Sequence, residues 1–473
     1  MPTVPCSAGP TAGAYASVAL ASLIAGVLAL DLVGADLRVP LWYENDALYY
    51  ATVVKAVGEQ GWWWSNPRLA MPFGQVLLDF PMPDTLSFAV LRVLEPFAGD
   101  AFLRLNLFYL LGFPLTAVTA LFALCRIGAA RAPAMLASVL YAVLPFRLLR
   151  GEAHVMYTAY QAFPLLLPVL VAIGTGQVDA RREPGWRRGA YALAACAAVA
   201  STGGAYQPFF ACLLLAALAL WCVVRSGRIA AAGPALALLA FTFLVFVLNL
   251  LPSILHRVRH GRSETARRLF YEADLFGLEI ASLLLPVADH RIPSFAGARA
   301  AYDLTPVGQD GAMMALGILG SAGFVVLLGA LLFRRRGSPP DAFDVLAVLN
   351  ATVVLVATVG GFALLFNLFV SPQLRGFNLA VVPIGMFAFA AVALLLTAAE
   401  RAWAHGAVRR GAFRVGCLVL LGLGLLDQIP RKTRPDPERT RAEHARDREF
   451  FTAVERALPV GAMVFQLPRD EFP

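Results

Sequence analysis

Charge is scarce in this chain of 473 residues: 15% are Asp, Glu, Lys or Arg, against about 25% in ordinary soluble domains. With 59% of residues hydrophobic, that shortage excludes a water-soluble globular protein, and most of the surface has to be solvated by lipid. Cysteine is sparse as well. The six cysteines, at 6, 125, 196, 212, 222 and 417, lie in the N-terminal tail or inside apolar runs. None forms a CxxC or a Cys/His cluster at metal spacing, so no disulfide framework and no structural zinc is expected. Walker, GxGxxG and HExxH patterns are missing from any suitable context, which leaves ATP hydrolysis, dinucleotide redox chemistry and zinc proteolysis without support. Nucleic-acid binding has no support either. A basic n-region is also lacking in the first fifteen residues, so the apolar run up to Leu32 reads as a retained helix with a cytoplasmic N-terminus.

What is present is a series of apolar runs of bilayer length, since about 20 residues of helix cross about 30 Å of hydrocarbon. They fall near 14–34, 105–125, 133–149, 159–175, 189–203, 207–224, 231–252, 311–333, 342–369, 377–398 and 412–428. The expected fold is therefore an all-α integral membrane protein with about eleven transmembrane helices. Arginines at 126, 131, 225, 228, 401, 409 and 410, with "RREPGWRR" at 181–188 and "RRR" at 334–336, fall on one side of this threading, and short basic loops mark the cytoplasm. The opposite side receives loop 35–104, the turn at 145–154, loop 253–310, the turn 371–377 and the C-terminus. "STGGAYQP" at 201–208 reads either as a tight outer turn or as a broken helix facing a wet cavity.

Loop 35–104 is too long for a simple connector and should carry its own elements. Asn45 can cap a helix to about Val57. Asp84 or Thr85 can cap a second, interfacial helix with Leu86, Val90, Leu91, Leu94 and Phe97 on one face. Trp62, Trp63 and Trp64 suit the headgroup belt. Residues 1–428 read as one transmembrane domain. From 429 to 473 a charged stretch and the β-like run "LPVGAMVFQLP" read as the start of an extracytoplasmic soluble segment, expected to be truncated.

Several polar groups gather in the outer segments. In "YENDALYY" (43–50), Glu44 and Asp46 follow a membrane exit, and Tyr49 and Tyr50 lie at i+3 and i+4 of Asp46, on its helix face. An acid there can complement the helix dipole, act as a general base, or hold a divalent cation. "PFRLLRGEAHVMY" places Arg147 and Arg150 three apart, with Glu152 and His154 after Gly151. Guanidinium forks match phosphate oxygens; the alternative is that these arginines snorkel to lipid headgroups. "HRVRHGRSETARRLF" at 256–270 reads as an anion binder or a solvated amphipathic helix. Asp289, His290 and Asp310 form a weak second ligand set, and Arg375 and Asn378 lie in the last outer turn.

This pattern resembles the GT-C superfamily of membrane glycosyltransferases: a long first outer loop with an early acid in "YENDALYY", two loop helices flanking a proline-rich turn, and an arginine-bearing outer hairpin. "NPRLAMPFGQVLLDFP", "PFRLLRGEAH" and "VFQLP" are similar to segments of a bacterial subgroup of such proteins. The resemblance implies an inverting transfer on the noncytoplasmic face from a polyprenyl-phosphate-linked sugar to a glycan, glycolipid or protein acceptor, in the inner membrane and in contact with membrane lipid. It often also implies a divalent metal, Mg or Mn. Asp46 is then the catalytic residue, and the expected substrate-binding set is Glu44, Tyr50, Asp84, Arg147, Arg150, Glu152, His154 and Arg375. Two rival readings are a transporter or flippase for an envelope lipid or oligosaccharide, and a noncatalytic scaffold. Transporters commonly show internal repeats and mid-bilayer ionisable groups; here no repeat is evident and the polar residues gather at the outer ends.

Overall fold

The computed structural model describes residues 10–176, 185–261, 268–305, 310–333 and 339–466. The expected stretches 181–184, 262–267, 308–309, 334–336 and 467–468 lie outside the described residues.

Helix forms over most of each expected apolar run. Among the described residues, seven helices are long and apolar enough to cross a membrane, and Phe163–Thr175, Gly317–Phe333 and Ala342–Ala357 are shorter apolar helices. The chain is thus an all-α, multi-pass membrane protein, with a two-residue hairpin pairing Ser65–Asn66 and Gln75–Val76 as the sheet among the described residues. Local chemistry sets the boundaries. Asp100 caps Ala101–Arg126 by accepting from the Leu103 N–H at 2.9 Å. The run expected at 133–149 is two helices, Arg131–Ala142 and Pro145–Arg150, because Pro145 has no N–H for the preceding ladder and starts a new first turn. The run at 342–369 likewise breaks between Ala342–Ala357 and Phe362–Phe369. There Leu278 bridges the gap, donating to Ala357 O at 2.8 Å and accepting from Val359 N at 3.1 Å.

Val381–Trp403 runs through the centre, its apolar stretch 83% buried. It meets Gly317–Phe333 so closely that a Cβ on Gly323 would lie 2.2 Å from Ala388 O. Gly233–His260 and Gly406–Gln428 leave most of their apolar surface unburied, the share being 11% and 17% buried, and present it to lipid.

Loop contacts gather at the two ends of the bundle. At one end the Ala130 N–H donates to Thr397 Oγ1 and Arg401 reaches Gly128 O. At the other, Leu86 N donates to Ser201 O, Asn378 N to Phe276 O, and Arg434 to Asp31 O. Thr433 also donates to Ala29 O. The long connections therefore meet at one end.

The first long loop departs from expectation in three ways. Its first helix is Asn45–Gln60, and Asn45, at φ +48°, is inside the helix rather than capping it. The second, Thr85–Leu94, buries Ser87, Phe88 and Leu91, while Leu86 and Phe97 are exposed. The apolar set shared between burial and exposure because one side faces the loop's own core. That core takes the tryptophans: Trp63 is buried and stacks on Phe88 at 5.6 Å, Trp62 packs edge-on to Phe88, and Trp64 is largely exposed. Trp62 and Trp63 thus pack into the core of the loop itself. At the far end, Pro437–Ala457 is an exposed charged helix, and no strand forms over 458–466.

Candidate functional site

Asp46 lies in the first turn of Asn45–Gln60 and faces the turn that follows Pro145–Arg150. Its Oδ2 is 3.6 Å from His154 Nε2. The His154 ring stacks on Tyr157, with centroids 5.7 Å apart and planes at 24°. Burial pushes the Asp46 carboxyl up, and the charges of Arg375 and Arg268 pull it down. Both arginines are therefore close enough to act on it, although they come from loops more than 200 residues away. These groups form an acid arm.

The second arm is cationic. Arg150 Nη2 pairs with Asp310 Oδ2 at 2.7 Å, and Asn378 Nδ2 donates to the same oxygen at 3.3 Å. Arg375 pairs with Glu272 at 3.1 Å and lies over the Phe276 ring at 4.9 Å. Tyr206 fixes the Arg375 backbone: its hydroxyl accepts from the N–H groups of Arg375 and Gly376, at 3.3 and 2.9 Å. Tyr157 stands edge-on to Tyr206 at 5.3 Å and so lies between the two arms.

Of the expected residues, Asp46, Arg150, His154 and Arg375 come together. Arg147 does not. Its guanidinium is fully buried, donates to Thr158 O (3.2 and 2.9 Å) and Thr116 Oγ1 (2.8 Å), and sits over the Tyr160 and Phe113 rings. Positions three apart on a helix diverge by about 60°, and in the short Pro145–Arg150 helix that is enough to send one arginine into the core and the other to the mouth. Glu152 is also fully buried, behind Gly151, whose φ of +53° lets Trp42 pack directly against it. Tyr50 is buried beside Tyr49.

Asp84 is 2% exposed and caps nothing: its Oδ1 accepts from the Gly204 N–H at 2.8 Å. Burial raises it to about 6, the Gly204 and Gly203 amides opposing. "STGGAYQP" is accordingly a tight turn, with Gly203 and Gly204 both left-handed. Glu44 is exposed and lines a separate cleft of about 440 Å³ with Trp42, Lys432, Arg434 and Arg439. Asp289 and His290 are elsewhere, His290 paired with Asp427 at 3.3 Å. Glu272, Tyr157, Tyr206 and Arg268 were not singled out individually from the sequence. Arg268, Tyr157 and Tyr206 lie within the stretches 256–270, 145–157 and 201–208 read above, whereas Glu272 lies in none of them.

A divalent metal needs several converging oxygen or nitrogen ligands. Among the described residues no group of three or more His, Cys, Asp or Glu converges in that way. Asp46 and His154 are a pair, while Asp310 and Glu272 are held by arginines. The described residues do not fit a metal site, and no step below runs through one.

No family model matches the chain, and no curated protein matches it. Among solved structures it is similar to the archaeal oligosaccharyltransferase AglB from Archaeoglobus fulgidus, in complex with an inhibitory peptide and a dolichol-phosphate. The TM-score is 0.49 at 14% identity over 89% of this chain and 56% of that one. It is also similar to ArnT from Cupriavidus metallidurans bound to undecaprenyl phosphate, with a TM-score of 0.45 at 14% identity over 89% of this chain and 74% of that one. The chain thus spans little more than half the length of AglB. At these scores the likenesses carry no argument about chemistry, which rests on the residues themselves.

Proposed function

We propose that this protein is a membrane glycosyltransferase that moves a sugar from a polyprenyl-phosphate-linked donor to a cell-envelope acceptor, a glycan, glycolipid or protein, on the noncytoplasmic face. The observation that carries the proposal is the meeting of an acid arm, Asp46 with His154, and a cationic arm, Arg150 and Arg375, at the end of a lipid-embedded bundle where the long loops join. The acceptor oxygen attacks the anomeric carbon as the bond from that carbon to the phosphate oxygen breaks. The acceptor's proton passes to the Asp46 carboxylate, and polyprenyl phosphate leaves with the bonding electron pair. Negative charge grows on the leaving phosphate, where fixed guanidinium donors stabilise it more than they stabilise the donor. Arg375, the more exposed of the two, makes the contact, and Arg150 is held ready by Asp310. Burial pushes the Asp46 carboxyl up, and the neighbouring positive charge of Arg375 and Arg268 opposes part of that push.

General-base contributions run to about 10²- to 10⁴-fold. Asp46→Asn should therefore lower transfer at least 100-fold while leaving the affinity for undecaprenyl phosphate and the melting temperature unchanged. Purified protein would be incubated with undecaprenyl-phosphate sugars and envelope extract, and donor consumption followed. Wild-type rates in the variant would remove Asp46 from the mechanism. Binding without consumption of any donor, by the wild-type protein as well, would favour a transporter.

A further inference from the structure

We propose that Asp84 is a positioning residue: by holding the Gly203–Gly204 turn it fixes the ring of Tyr157, and through that ring sets His154 against Asp46. The inference rests on the site being the one described above, but not on its reaction.

Asp84 is buried and pairs with no cation among the described residues, and its side chain makes no bond that starts its own helix. That start is already stitched to the same turn by other bonds. Leu86 N donates to Ser201 O at 3.1 Å, Thr85 Oγ1 to Asn249 Oδ1 at 2.7 Å, and Asn249 Nδ2 to Ala200 O and Ser201 Oγ, both at 3.0 Å. The carboxyl instead faces two successive left-handed glycines, at φ +71° and +62°. Successive amides in such a turn converge on one point and form a concavity for a negative oxygen. The glycine at 204 is dictated twice over, by its φ and by its neighbour: a Cβ there would lie 2.8 Å from Tyr157 Cε1. The Tyr157 ring therefore rests directly on the backbone that Asp84 holds.

From Tyr157 the contacts continue without a gap. Its ring stacks on His154, whose Nε2 is 3.6 Å from Asp46. Its edge meets Tyr206, which holds the backbone of Arg375 and Gly376. A ring shared by both arms transmits any shift of the glycine turn into the separation of Asp46 from its partners, and misplacement by about 1 Å can cost on the order of 100-fold in rate.

The test uses the full chain with ¹³C-labelled histidine. The His154 signal, one of six histidines, is identified by its loss in His154→Gln. In Asp84→Ala the His154 signal should move, and kcat should fall roughly 10- to 100-fold. The donor KM and the affinity for undecaprenyl phosphate should change less than kcat, since Arg375 is reached only through the further contact of Tyr157 with Tyr206. Asp84→Asn keeps an oxygen that accepts from Gly204 N–H and should restore both the signal and kcat. The double variant Asp84→Ala/Tyr157→Leu should be no worse than Tyr157→Leu alone, as expected for residues acting in series. An unmoved His154 signal in Asp84→Ala, or an Asn variant as impaired as the Ala variant, overturns the proposal. If Asp84→Ala does not fold, Gly204→Ala and Tyr157→Leu carry the same prediction for His154, and an unmoved signal in both overturns it equally. A wild-type protein that transfers no sugar would sink the proposed function, yet the histidine signal would still decide this inference.

Discussion

Two arginines of the same chemical type should respond in opposite ways to removal, and the contrast tests the site directly. Arg375 is 39% exposed and has one nitrogen on Glu272, leaving further N–H groups for a ligand. A hydrogen bond to a charged group is worth about 1.5–3 kcal/mol. At 1.36 kcal/mol per factor of ten, Arg375→Ala should weaken undecaprenyl phosphate binding by roughly 10- to 150-fold. The partly exposed pair with Glu272 contributes only about 0–1 kcal/mol to stability, so the melting temperature should hardly change. Arg147 reverses this. Arg147→Met leaves Thr158 O and Thr116 Oγ1 without their donor, at about 1–3 kcal/mol for each buried orphan. Removing a buried charge offsets part of that, for a net loss of about 2–4 kcal/mol. Binding by the folded fraction should be unchanged. Both quantities can be read on the same detergent-solubilised samples, by titration with undecaprenyl phosphate and by thermal unfolding. If Arg147→Met weakens binding as much as Arg375→Ala without losing stability, the assignment of one arginine to the core and the other to the site is wrong.

Removing the Tyr206 hydroxyl in Tyr206→Phe strands two N–H groups, those of Arg375 and Gly376. It should cost about 1–3 kcal/mol and weaken undecaprenyl phosphate binding less than Arg375→Ala does; a stronger effect on binding would mean that Tyr206 touches the ligand. Trp63→Ala should destabilise by about 3–5 kcal/mol, whereas Trp64→Ala should be nearly neutral because Trp64 is exposed; equal losses in unfolding scans would contradict the loop core. Asp84, raised from 3.8 to about 6, keeps its proton in the folded chain over a range where the unfolded chain has released it. Its contribution is thus fully present below about pH 3.8 and is lost as the pH rises through 6, by about 3 kcal/mol in all. The stability of Asp84→Asn, neutral throughout, should therefore gain on the wild type between pH 4.5 and 7, and a constant difference in melting temperature would refute the shift.

The helices were legible because lipid imposes a length and forbids charge, so each apolar run announced itself. Their interruptions were less so. Pro145 and the Thr358–Gly361 break sit inside otherwise apolar runs, and the second is defined by a strand-like contact with Leu278, 80 residues earlier. At the site, Asp46, Arg150, His154 and Arg375 stood out because ionisable groups near a membrane are costly and seldom idle. Arg147 has the same credentials locally. What separates it from Arg150 is a pocket of Phe113, Thr116, Thr158 and Tyr160, assembled from other parts of the chain. The tyrosines at 157 and 206 look like ordinary core aromatics in sequence, and only their position between two charged arms gives them a role. Trp62 and Trp63 show what the sequence left unread: their packing on Phe88 depends on a helix that begins further on, at Thr85.

The order in which the ribosome delivers these parts has a consequence. Asp46 emerges early, but Glu272, Asp310 and Arg375 arrive hundreds of residues later, and Tyr43 closes onto Asp447 across 404 positions. A nascent chain that stalls before the last outer turn holds its acid without its arginine. Under the proposed transfer, a half-inserted chain therefore lacks the groups that would stabilise the leaving phosphate until the late loops dock on the first.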